Sequence, residues 1–256
     1  MKKLFAILPC YNEEKDIAPL TAKWVDMIKK IAECGYDTEI YCVDDKSKDN
    51  TNKVIRELVE KYAGSVHLIE HDVNKGLGGV LQTGFDFFYE NGGSGDICVL
   101  MDGDNTHDPC YVISMLEQID KGYDCIIASR YCNSSETKGV SPFRLFLSWG
   151  ARVYYTLVLG VKNVKDYTCG YRAYTYEIIA KAEEKFGQRF VEHRSFACMM
   201  EVLYKLSLLG ARFQEVPFEL RYDNKEGESK MRLTKTIRES LITAMQLRMQ
   251  KKRYIK

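Results

Sequence analysis

Short apolar runs and segments with helical periodicity alternate along the first half of the chain, and this alternation restricts the fold more than any other feature. The runs at 4–8, 39–43, 66–70, 97–101 and 124–128 predict five strands, with a predicted helix between each strand and the next. Strands joined through helices pair in parallel, because each helix carries the chain back to the starting edge of the sheet. We therefore expect an α/β domain with a mostly parallel, twisted sheet flanked by helices.

Polar residues follow the carboxyl ends of these strands. They come from five separate connections, namely Asn12, Asp45, Asn74, Asp102 and Arg130. Open α/β sheets bind their ligands outside the carboxyl ends of the strands. The sequence therefore predicts one pocket lined by all five connections.

The segment Asp102-Gly103-Asp104 directly follows an apolar strand and is the strongest chemical signal. Two carboxylates one residue apart supply the hard oxygen ligands that Mg²⁺ or Mn²⁺ prefers. Such an ion bridges diphosphate oxygens and neutralises the charge that develops on a nucleotide leaving group. A plain turn after a buried strand has a similar composition, but the α/β context and Asp45 at the end of another strand favour a metal site.

The second half of the chain changes pattern. Helices are expected at 141–159 and 196–209 and a strand at 212–220, and the first of these helices places Phe146, Val153 and Leu157 broadly on one side. Ser141 starts that helix as its cap. In the first half, Ser47 or Asp49 is expected to cap the helix that begins near Thr51.

Composition excludes several classes of function. The 37 basic and 36 acidic residues nearly cancel, so no global field favours nucleic acid. Nine cysteines without a paired spacing indicate reduced thiols in a cytoplasmic compartment. No apolar stretch is long enough to span a bilayer, so membrane contact is expected to be peripheral. The segment Gly76-Leu77-Gly78-Gly79 fails the dinucleotide fingerprint, because the third glycine would fall on Leu81.

A series of ordered motifs resembles those of glycosyltransferase family 2, whose fold is called GT-A. The motifs are Pro9-Cys10-Tyr11-Asn12-Glu13-Glu14, Asp44-Asp45-Lys46-Ser47-Lys48-Asp49-Asn50-Thr51, Asn74-Lys75-Gly76-Leu77-Gly78 and Asp102-Gly103-Asp104. Three later motifs resemble the branch of dolichol-phosphate mannosyltransferases, which use polyprenyl-phosphate acceptors: Ser129-Arg130-Tyr131, Asp166-Tyr167-Thr168-Cys169-Gly170-Tyr171-Arg172 and Gly227-Glu228-Ser229-Lys230. The resemblance runs from Pro9 to Lys230.

The resemblance implies an inverting, metal-dependent transferase that moves a hexose-type sugar from a UDP- or GDP-sugar to a polyprenyl or dolichyl phosphate. The donor nucleotide would be bound by Pro9, Tyr11, Glu13, Asp45, Asp102 and Lys230. The metal, Mg²⁺ or Mn²⁺, would be held by Asp102 and Asp104. The acceptor phosphate would be received by Arg130, Arg144 and Ser148, and the residues assigned to catalysis are Asp104, Arg130 and Asp166.

Arg144 and Ser148 are four residues apart on a predicted helix and so share a face, which suits phosphate binding. Asp166 has two interpretations: a general base for a hydroxyl acceptor, or a structural hydrogen-bond partner, for example of Arg172. Two positions depart from the family. Thr106 stands where relatives often have a glutamine, and Lys225 follows Asn224 where relatives carry an arginine.

Two other functions stay open from the sequence. The same donor site could serve a saccharide hydroxyl in surface-glycan assembly, in which case activity would depend on Asp166. A nucleotide-sugar-binding scaffold without turnover is the third interpretation.

The C-terminal segment forms a separate unit of the prediction, with the transferase domain at 1–230 and a basic amphipathic helical tail at 231–256. Beyond Lys230 the chain carries eight basic residues and one acid, Glu239, beside an apolar stripe. Such helices bind anionic bilayer surfaces, although a helix packed on the domain with a solvated basic face has the same pattern. The expected location is the cytoplasmic face of the membrane. The helix after Ser141 is a second candidate for that contact, or for a homodimer interface.

Overall fold

The computed structural model describes residues 1–140, 142–221 and 233–255, without the side chains of 142–144 and 233–237. Within this part of the chain a seven-stranded sheet has the order β3-β2-β1-β4-β7-β5-β8. Its strands are β1 (Lys2–Cys10), β2 (Tyr36–Asp44), β3 (Val66–Glu70), β4 (Ile97–Leu100), β5 (Cys125–Ser129), β7 (Arg172–Thr175) and β8 (Phe213–Pro217). A small parallel pair joins β6 (Glu136–Lys138) to β9 (Glu219–Arg221).

Helices cover the sheet and continue beyond it. They are α1 (Ile17–Glu33), α2 (Thr51–Lys61), α3 (Gly76–Asn91), α4 (Val112–Asp120), α5 (Pro142–Leu159), α6 (Tyr176–Phe186), α7 (Cys198–Leu208), α8 (Leu233–Met249) and α9 (Lys251–Ile255). Short 3₁₀ turns lie at Pro109–Tyr111 and Gly187–Arg189. No helix in the described ranges is both long and apolar enough to cross a bilayer.

Burial of apolar side chains explains why these segments form these elements. In α1 the buried positions Leu20, Trp24, Met27 and Ile31 recur every three or four residues, so that one face of the helix packs on the sheet. β4 is buried at all four positions, as expected for a strand with a neighbour on each side and helices over both faces.

The predicted α/β class and the five predicted strands are confirmed, and β7 is an addition. β7 lies antiparallel between β4 and β5. It begins at Arg172, a fully buried residue whose guanidinium donates to the carbonyl oxygens of Met199 (2.7 Å) and Tyr167 (2.9 Å). A strand that opens with a charged residue lacks the apolar signature of its neighbours, and periodicity alone does not find it.

Two local predictions are wrong. The single strand expected at 212–220 is two strands, β8 and β9, which pair with different partners on either side of Phe218. The cap position of α2 is Asn50, not Ser47 or Asp49 as expected. The side chain of Asp49 accepts a hydrogen bond from the amide of Thr51, the first residue of the helix (3.0 Å). The predicted apolar positions Phe146, Val153 and Leu157 of α5 do lie on one side, and that side is exposed, whereas Tyr155 is buried on the other. Ser141, the expected cap of α5, lies outside the described residues.

The last two helices contact the main body. The hydroxyl of Tyr154 on α5 donates to the carbonyl oxygen of Leu241 on α8 (3.0 Å). Tyr254 on α9 is buried, and its ring packs edge-on against Phe186. The predicted boundary between residues 230 and 231 lies outside the described residues and stays a prediction.

A buried carboxyl on α6 gives the fold a testable pH dependence. Glu183 is buried against α3, and burial together with the nearby charge of Asp86 raises its pKa from 4.5 to about 8. Because the folded state binds this proton more tightly than the unfolded chain does, the free energy of unfolding should fall as the pH rises from about 4.5 to about 8.

Glu183→Gln should remove this part of the pH dependence and raise the free energy of unfolding above pH 8 by at least about 1 kcal/mol. Urea denaturation from about pH 5 to about pH 9 measures the effect. Glu184→Gln, at the exposed neighbouring position, should leave the pH profile unchanged. Identical profiles for wild type and Glu183→Gln would contradict the argument.

Candidate functional site

Three connections at the carboxyl edge of the sheet hold a non-glycine residue in the left-handed region. These are Asn12 after β1 (φ 55°), Lys46 after β2 (φ 58°) and Asn105 after β4 (φ 57°). Such conformations cost free energy and persist only where the surroundings enforce them. Their concentration at one edge of the sheet marks that edge as the candidate site.

The first two connections are held together by hydrogen bonds. The amide of Asn12 donates to Ser47 Oγ (3.0 Å), and the amide of Lys48 donates to Asn12 Oδ1 (2.7 Å). The amide of Glu13 donates to Thr51 Oγ1 (2.7 Å). The two motifs that the sequence suggested for nucleotide binding therefore form one rigid surface, which includes the predicted donor residues Pro9, Tyr11 and Glu13.

Asp45 joins the connection after β3 to this surface. Its Oδ1 accepts from the amide of Lys75 (2.7 Å) and lies 2.8 Å from His71 Nδ1, and its Oδ2 accepts from the amide of Gly76 (2.8 Å). The side chain of Asn74 donates to the carbonyl oxygen of Asp45 (3.0 Å). Asp45 thus organises residues 74–79, which we call the glycine-rich turn, and the direct contact of Asp45 with a base or ribose stays a prediction.

The glycine-rich turn is packed against a segment that the sequence analysis did not single out, residues 192–194. A Cβ at Gly78 would lie 1.9 Å from the carbonyl oxygen of His193, and one at Gly76 would lie 2.6 Å from that of Arg194. The amide of Gly78 donates to Arg194 O (3.2 Å), and Arg194 Nε donates to Lys75 O (2.8 Å). The glycines are therefore required for close approach of two backbones.

A buried ionic cluster fixes segment 192–194 from behind. Glu201 is fully buried and accepts from the amides of Glu192 (3.0 Å) and His193 (2.9 Å), with His193 Nδ1 also at 3.0 Å. Lys205, also fully buried, donates to Glu201 Oε1 (2.7 Å). Burial alone raises the pKa of Glu201, but its partners His193 and Lys205 outweigh burial and lower it. Glu201 and Lys205 are four apart on a helix, the one sequence signal for this cluster.

Gly78→Ala tests the importance of the glycine-rich turn. The added methyl would collide with the backbone of His193, so we expect the turn to shift and the Kd for a nucleotide-sugar to rise at least about tenfold. Isothermal titration with UDP- and GDP-sugars measures this effect. Gly150→Ala is the matched control, because a Cβ there would meet nothing within 4 Å. Unchanged donor affinity in Gly78→Ala would contradict the role of the turn.

Asp102 and Asp104 lie at the end of β4, next to the nucleotide surface. The amide of Gly103 donates to Pro9 O (3.2 Å), which ties this connection to β1. A Cβ at Gly170 would lie 2.7 Å from Asp102 Oδ1, so the absence of a side chain at Gly170 leaves room for the Asp102 carboxylate. The structure thus places the segment of Asp102 and Asp104 against the end of β1, and their role in holding a metal and diphosphate stays a prediction.

The donor set fits a hard divalent cation that also binds a diphosphate. Within the described ranges no group of three or more histidine, cysteine, aspartate or glutamate side chains is placed to hold a metal. Two aspartates would leave the remaining positions to phosphate oxygens and water, which is how Mg²⁺ is commonly bound. Carboxylate oxygens suit Mn²⁺ equally.

Thr106 takes part in this connection, at the position where the sequence departs from the family. Its hydroxyl donates to Asp104 Oδ1 (2.6 Å), and its amide lies 3.2 Å from the same oxygen. Thr106 Oγ1 also lies 3.2 Å from Nδ1 of His107, a buried ring stacked on Phe218. Thr106 therefore orients the Asp104 carboxylate from within the connection.

Arg130 and Asp166 form an ion pair in which the carboxylate is fully buried and the guanidinium is 22% exposed. Arg130 donates through Nε to Asp166 Oδ2 (2.8 Å) and through Nη2 to Asp166 Oδ1 (2.7 Å). Arg130 Nη2 also donates to Thr168 Oγ1 (2.6 Å), and Nη1 has no hydrogen-bond partner within the described part of the chain. The guanidinium is thus fixed in orientation and keeps one nitrogen for a ligand.

The environment of Asp166 favours the structural interpretation over the general base. Its partner is Arg130, not Arg172, and its carboxylate also accepts from the amides of Arg130 (3.1 Å) and Cys169 (3.1 Å). Burial by itself raises the pKa of Asp166, but the charge and hydrogen bonds of Arg130 outweigh burial and hold the pKa below its usual value. A carboxylate with these bonds and a lowered pKa is a weak base.

Tyr131, the residue that follows Arg130, contacts Ser148 on α5 and so connects the helix to this ion pair. The Tyr131 hydroxyl is 2.7 Å from Ser148 Oγ and donates to Ser148 O (3.0 Å). The guanidinium of Arg152 lies over the Tyr131 ring, 4.7 Å from its centroid. The sequence analysis did not name Arg152, although its position four residues after Ser148 was a signal. The side chain of Arg144, and all of Lys230, Asn224 and Lys225, lie outside the described residues.

Asp166→Asn tests the structural role. Loss of the buried carboxylate leaves the half-buried Arg130 guanidinium without its charge partner, which should lower the free energy of unfolding by about 2 kcal/mol, measured by urea denaturation. Glu136→Gln is the control, because it removes a partner from the exposed pair with Lys138 (3.3 Å) and should cost at most about 1 kcal/mol. A fully stable Asp166→Asn protein that has lost turnover would instead support a general base.

Comparison with known proteins agrees with this geometry. The model of the family described as Glycosyl transferase family 2 matches residues 5–182. Polyprenol monophosphomannose synthase of Mycolicibacterium smegmatis is 30% identical over 230 residues, which cover 90% of this chain and 81% of that protein. UDP-N-acetylglucosamine–dolichyl-phosphate N-acetylglucosaminyltransferase of Methanococcus voltae is 30% identical over 233 residues, which cover 86% of each chain.

Solved structures show the same fold. Glucosyl-3-phosphoglycerate synthase from Mycobacterium tuberculosis, crystallised with Mn²⁺, uridine diphosphate and phosphoglyceric acid, matches with a TM-score of 0.64 at 17% identity. The match covers 96% of this chain and 78% of that chain. The GT-A fold predicted from the sequence motifs is confirmed. At this identity the likeness concerns the fold alone.

Proposed function

The chain belongs to glycosyl transferase family 2, and on that premise we propose that it transfers a hexose-type sugar from a UDP- or GDP-sugar to a polyprenyl or dolichyl phosphate, with inversion at the anomeric carbon. The observation that carries the proposal is the Arg130–Asp166 ion pair, which holds the Arg130 guanidinium in one orientation. Asp166 lies four residues before Gly170, the glycine that leaves room for the Asp102 carboxylate. The two relatives named above are a polyprenol-phosphate and a dolichyl-phosphate sugar transferase, which supports the class of acceptor.

The donor is assigned to the rigid surface formed by the connections after β1, β2 and β3. Pro9, Tyr11 and Glu13 lie along its edge, and Asp45 holds the glycine-rich turn that closes it. Because this surface is fixed by internal hydrogen bonds, it can bind the nucleotide with little loss of conformational entropy. Lys230 is assigned to the diphosphate from the segment that follows β9.

The diphosphate end of the donor is assigned to Asp102 and Asp104. Bound to these carboxylates, Mg²⁺ or Mn²⁺ would supply positive charge against the departing nucleoside diphosphate. Thr106 and Gly170 maintain the positions of the two carboxylates, the first by a hydrogen bond and the second by leaving space. These residues act by orienting oxygen ligands and take no proton themselves.

The acceptor phosphate is assigned to the site formed by Arg130, Arg144 and Ser148. Arg130 Nη1 offers a donor in a fixed direction, because the other two nitrogens are held by Asp166 and Thr168. A phosphate acceptor is already anionic and needs no general base, which agrees with an Asp166 carboxylate that is fully engaged. A saccharide hydroxyl would need a base, and the environment of Asp166 makes it a poor one.

The proposed location depends on the acceptor. A polyprenyl phosphate must be met at a bilayer, so we place the protein peripherally at the cytoplasmic face of the membrane, with its basic C-terminal helices nearby. Association into a homodimer stays a prediction, as does the division into a transferase domain and a tail.

The test is sugar transfer from a panel of UDP- and GDP-sugars, with Mg²⁺ or Mn²⁺, with and without polyprenyl phosphate in detergent. We expect product only when the lipid phosphate is present. Asp104→Asn should lower kcat at least about 100-fold with unchanged circular dichroism, because the leaving group loses its charge compensation. Asp72→Asn, at an exposed position near the same edge, should retain activity.

Two outcomes would contradict the proposal. Full activity of Asp104→Asn would remove the metal assignment. Transfer to glycans without any lipid phosphate would identify a saccharide hydroxyl as the acceptor.

A further inference from the structure

Helix α5 exposes an apolar stripe that nothing in the described part of the chain covers. Phe146, Trp149, Val153 and Leu157 recur at helical spacing, and they are 65%, 55%, 40% and 80% exposed. The rings of Phe146 and Trp149 stack with centroids 6.4 Å apart. Side chains of this size exposed along one face mark an interaction surface, since single proteins in water rarely leave such a stripe uncovered.

The neighbouring helix α8, which contacts α5 through Tyr154, also exposes large apolar side chains. Met245 is 53% and Met249 80% exposed. We call these exposed apolar side chains of α5 and α8 the outer apolar set: Phe146, Trp149, Val153, Leu157, Met245 and Met249. The surface is thus shared by two packed helices, although its members are far apart in sequence.

Charge distinguishes among the possible occupants of this surface. Residues 142–159 and 233–255 contain eight basic residues and one acid, Glu239. Arg248, Lys251 and Lys252 are exposed beside Met249. Two copies of the chain meeting through this surface would bring like charges together, which disfavours a dimer. An anionic bilayer offers both an apolar interior and opposite charge.

The opposite side of α5 faces the proposed acceptor site. Ser148 contacts Tyr131, Arg152 lies over the Tyr131 ring, and Tyr155 is buried. One helix therefore separates the outer apolar set from the Arg130–Asp166 pair. A lipid with its phosphate at Arg130 and its chain in a bilayer would require the membrane surface to lie close to this helix.

We propose that the outer apolar set inserts into the headgroup region of an anionic bilayer, with α5 lying along the membrane surface. The proposal rests on the proposed function for its orientation, since it brings the acceptor site to the bilayer. Trp149 and Phe146 form its centre, because aromatic rings favour the interface between water and lipid. The basic residues of α8 and α9 contact the anionic headgroups.

The test uses the full chain and vesicles without polyprenyl phosphate. One set is made of phosphatidylcholine and the other of equal parts phosphatidylcholine and phosphatidylglycerol. We expect co-sedimentation with the anionic vesicles, weakened by high salt and by the neutral lipid. The double variant Phe146→Gln/Trp149→Gln should bind at least about tenfold more weakly. Val73→Gln is the control and should bind like wild type, because Val73 is 63% exposed but does not belong to the outer apolar set.

The two tryptophans provide a second readout. Trp24 is fully buried and Trp149 is exposed, so any blue shift of emission on adding vesicles should come from Trp149. Lipids brominated near the headgroup should quench that emission in wild type. Loss of the shift in Trp149→Phe, with binding retained, would assign the signal to this residue.

The outcomes separate this proposal from the proposed function. Sugar transfer to a short prenyl phosphate in detergent should be unchanged in the double variant, because no bilayer is needed there. Vesicle binding without transfer to any prenyl phosphate would remove the proposed function and keep the docking surface. Equal vesicle binding by wild type and the double variant would overturn the docking surface. The docking surface would also be overturned if the wild type did not bind vesicles and formed a dimer in light scattering, while the double variant was a monomer.

Discussion

The parallel pairing of β1 with β2 on one side and β4 on the other is the constraint on which the site depends. This pairing makes three strands end at one edge, so the connections after them must share the same space. The hydrogen bonds from Asp45 N to Cys10 O (2.9 Å) and from Gly103 N to Pro9 O (3.2 Å) continue the pairing past the strands. Residues far apart in sequence thereby become neighbours without any side-chain contact being needed.

Buried carboxylates then fix the orientation of groups whose position the strand pairing does not determine. Asp166 orients Arg130, and Glu201 holds the backbone of segment 192–194 against the glycine-rich turn. Removing a charge from water is costly, and a buried pair contributes little net stability compared with an apolar pair of the same shape. The benefit here is a single orientation of groups that face the ligand site. We therefore interpret both clusters as the means by which the fold places donors for anionic ligands.

The sequence could predict the strands and the polar connections because their signals are local. Apolar runs identified β1 to β5, and the order of motifs identified the family. The sequence could not predict β7, whose first residue is a buried arginine that hydrogen-bonds to backbone carbonyls. It also could not predict the contact of segment 192–194 with the glycine-rich turn, because that contact is mainly between backbones. The glycines at 76 and 78 are the sequence feature that reflects it. The partner of Asp166 was likewise decided by tertiary packing.

Helix α5 shows why a pattern of apolar residues can be ambiguous. A helix at the surface of a protein in water has one apolar face, whereas α5 buries Tyr155 and Leu159 and exposes Trp149 and Leu157. The sequence placed Phe146, Val153 and Leu157 on one side correctly, but periodicity alone does not tell whether protein, water or lipid covers that side. A helix with two apolar faces is stable between two apolar phases. The protein core supplies one of them, and in our proposal the bilayer that carries a lipid-linked acceptor supplies the second.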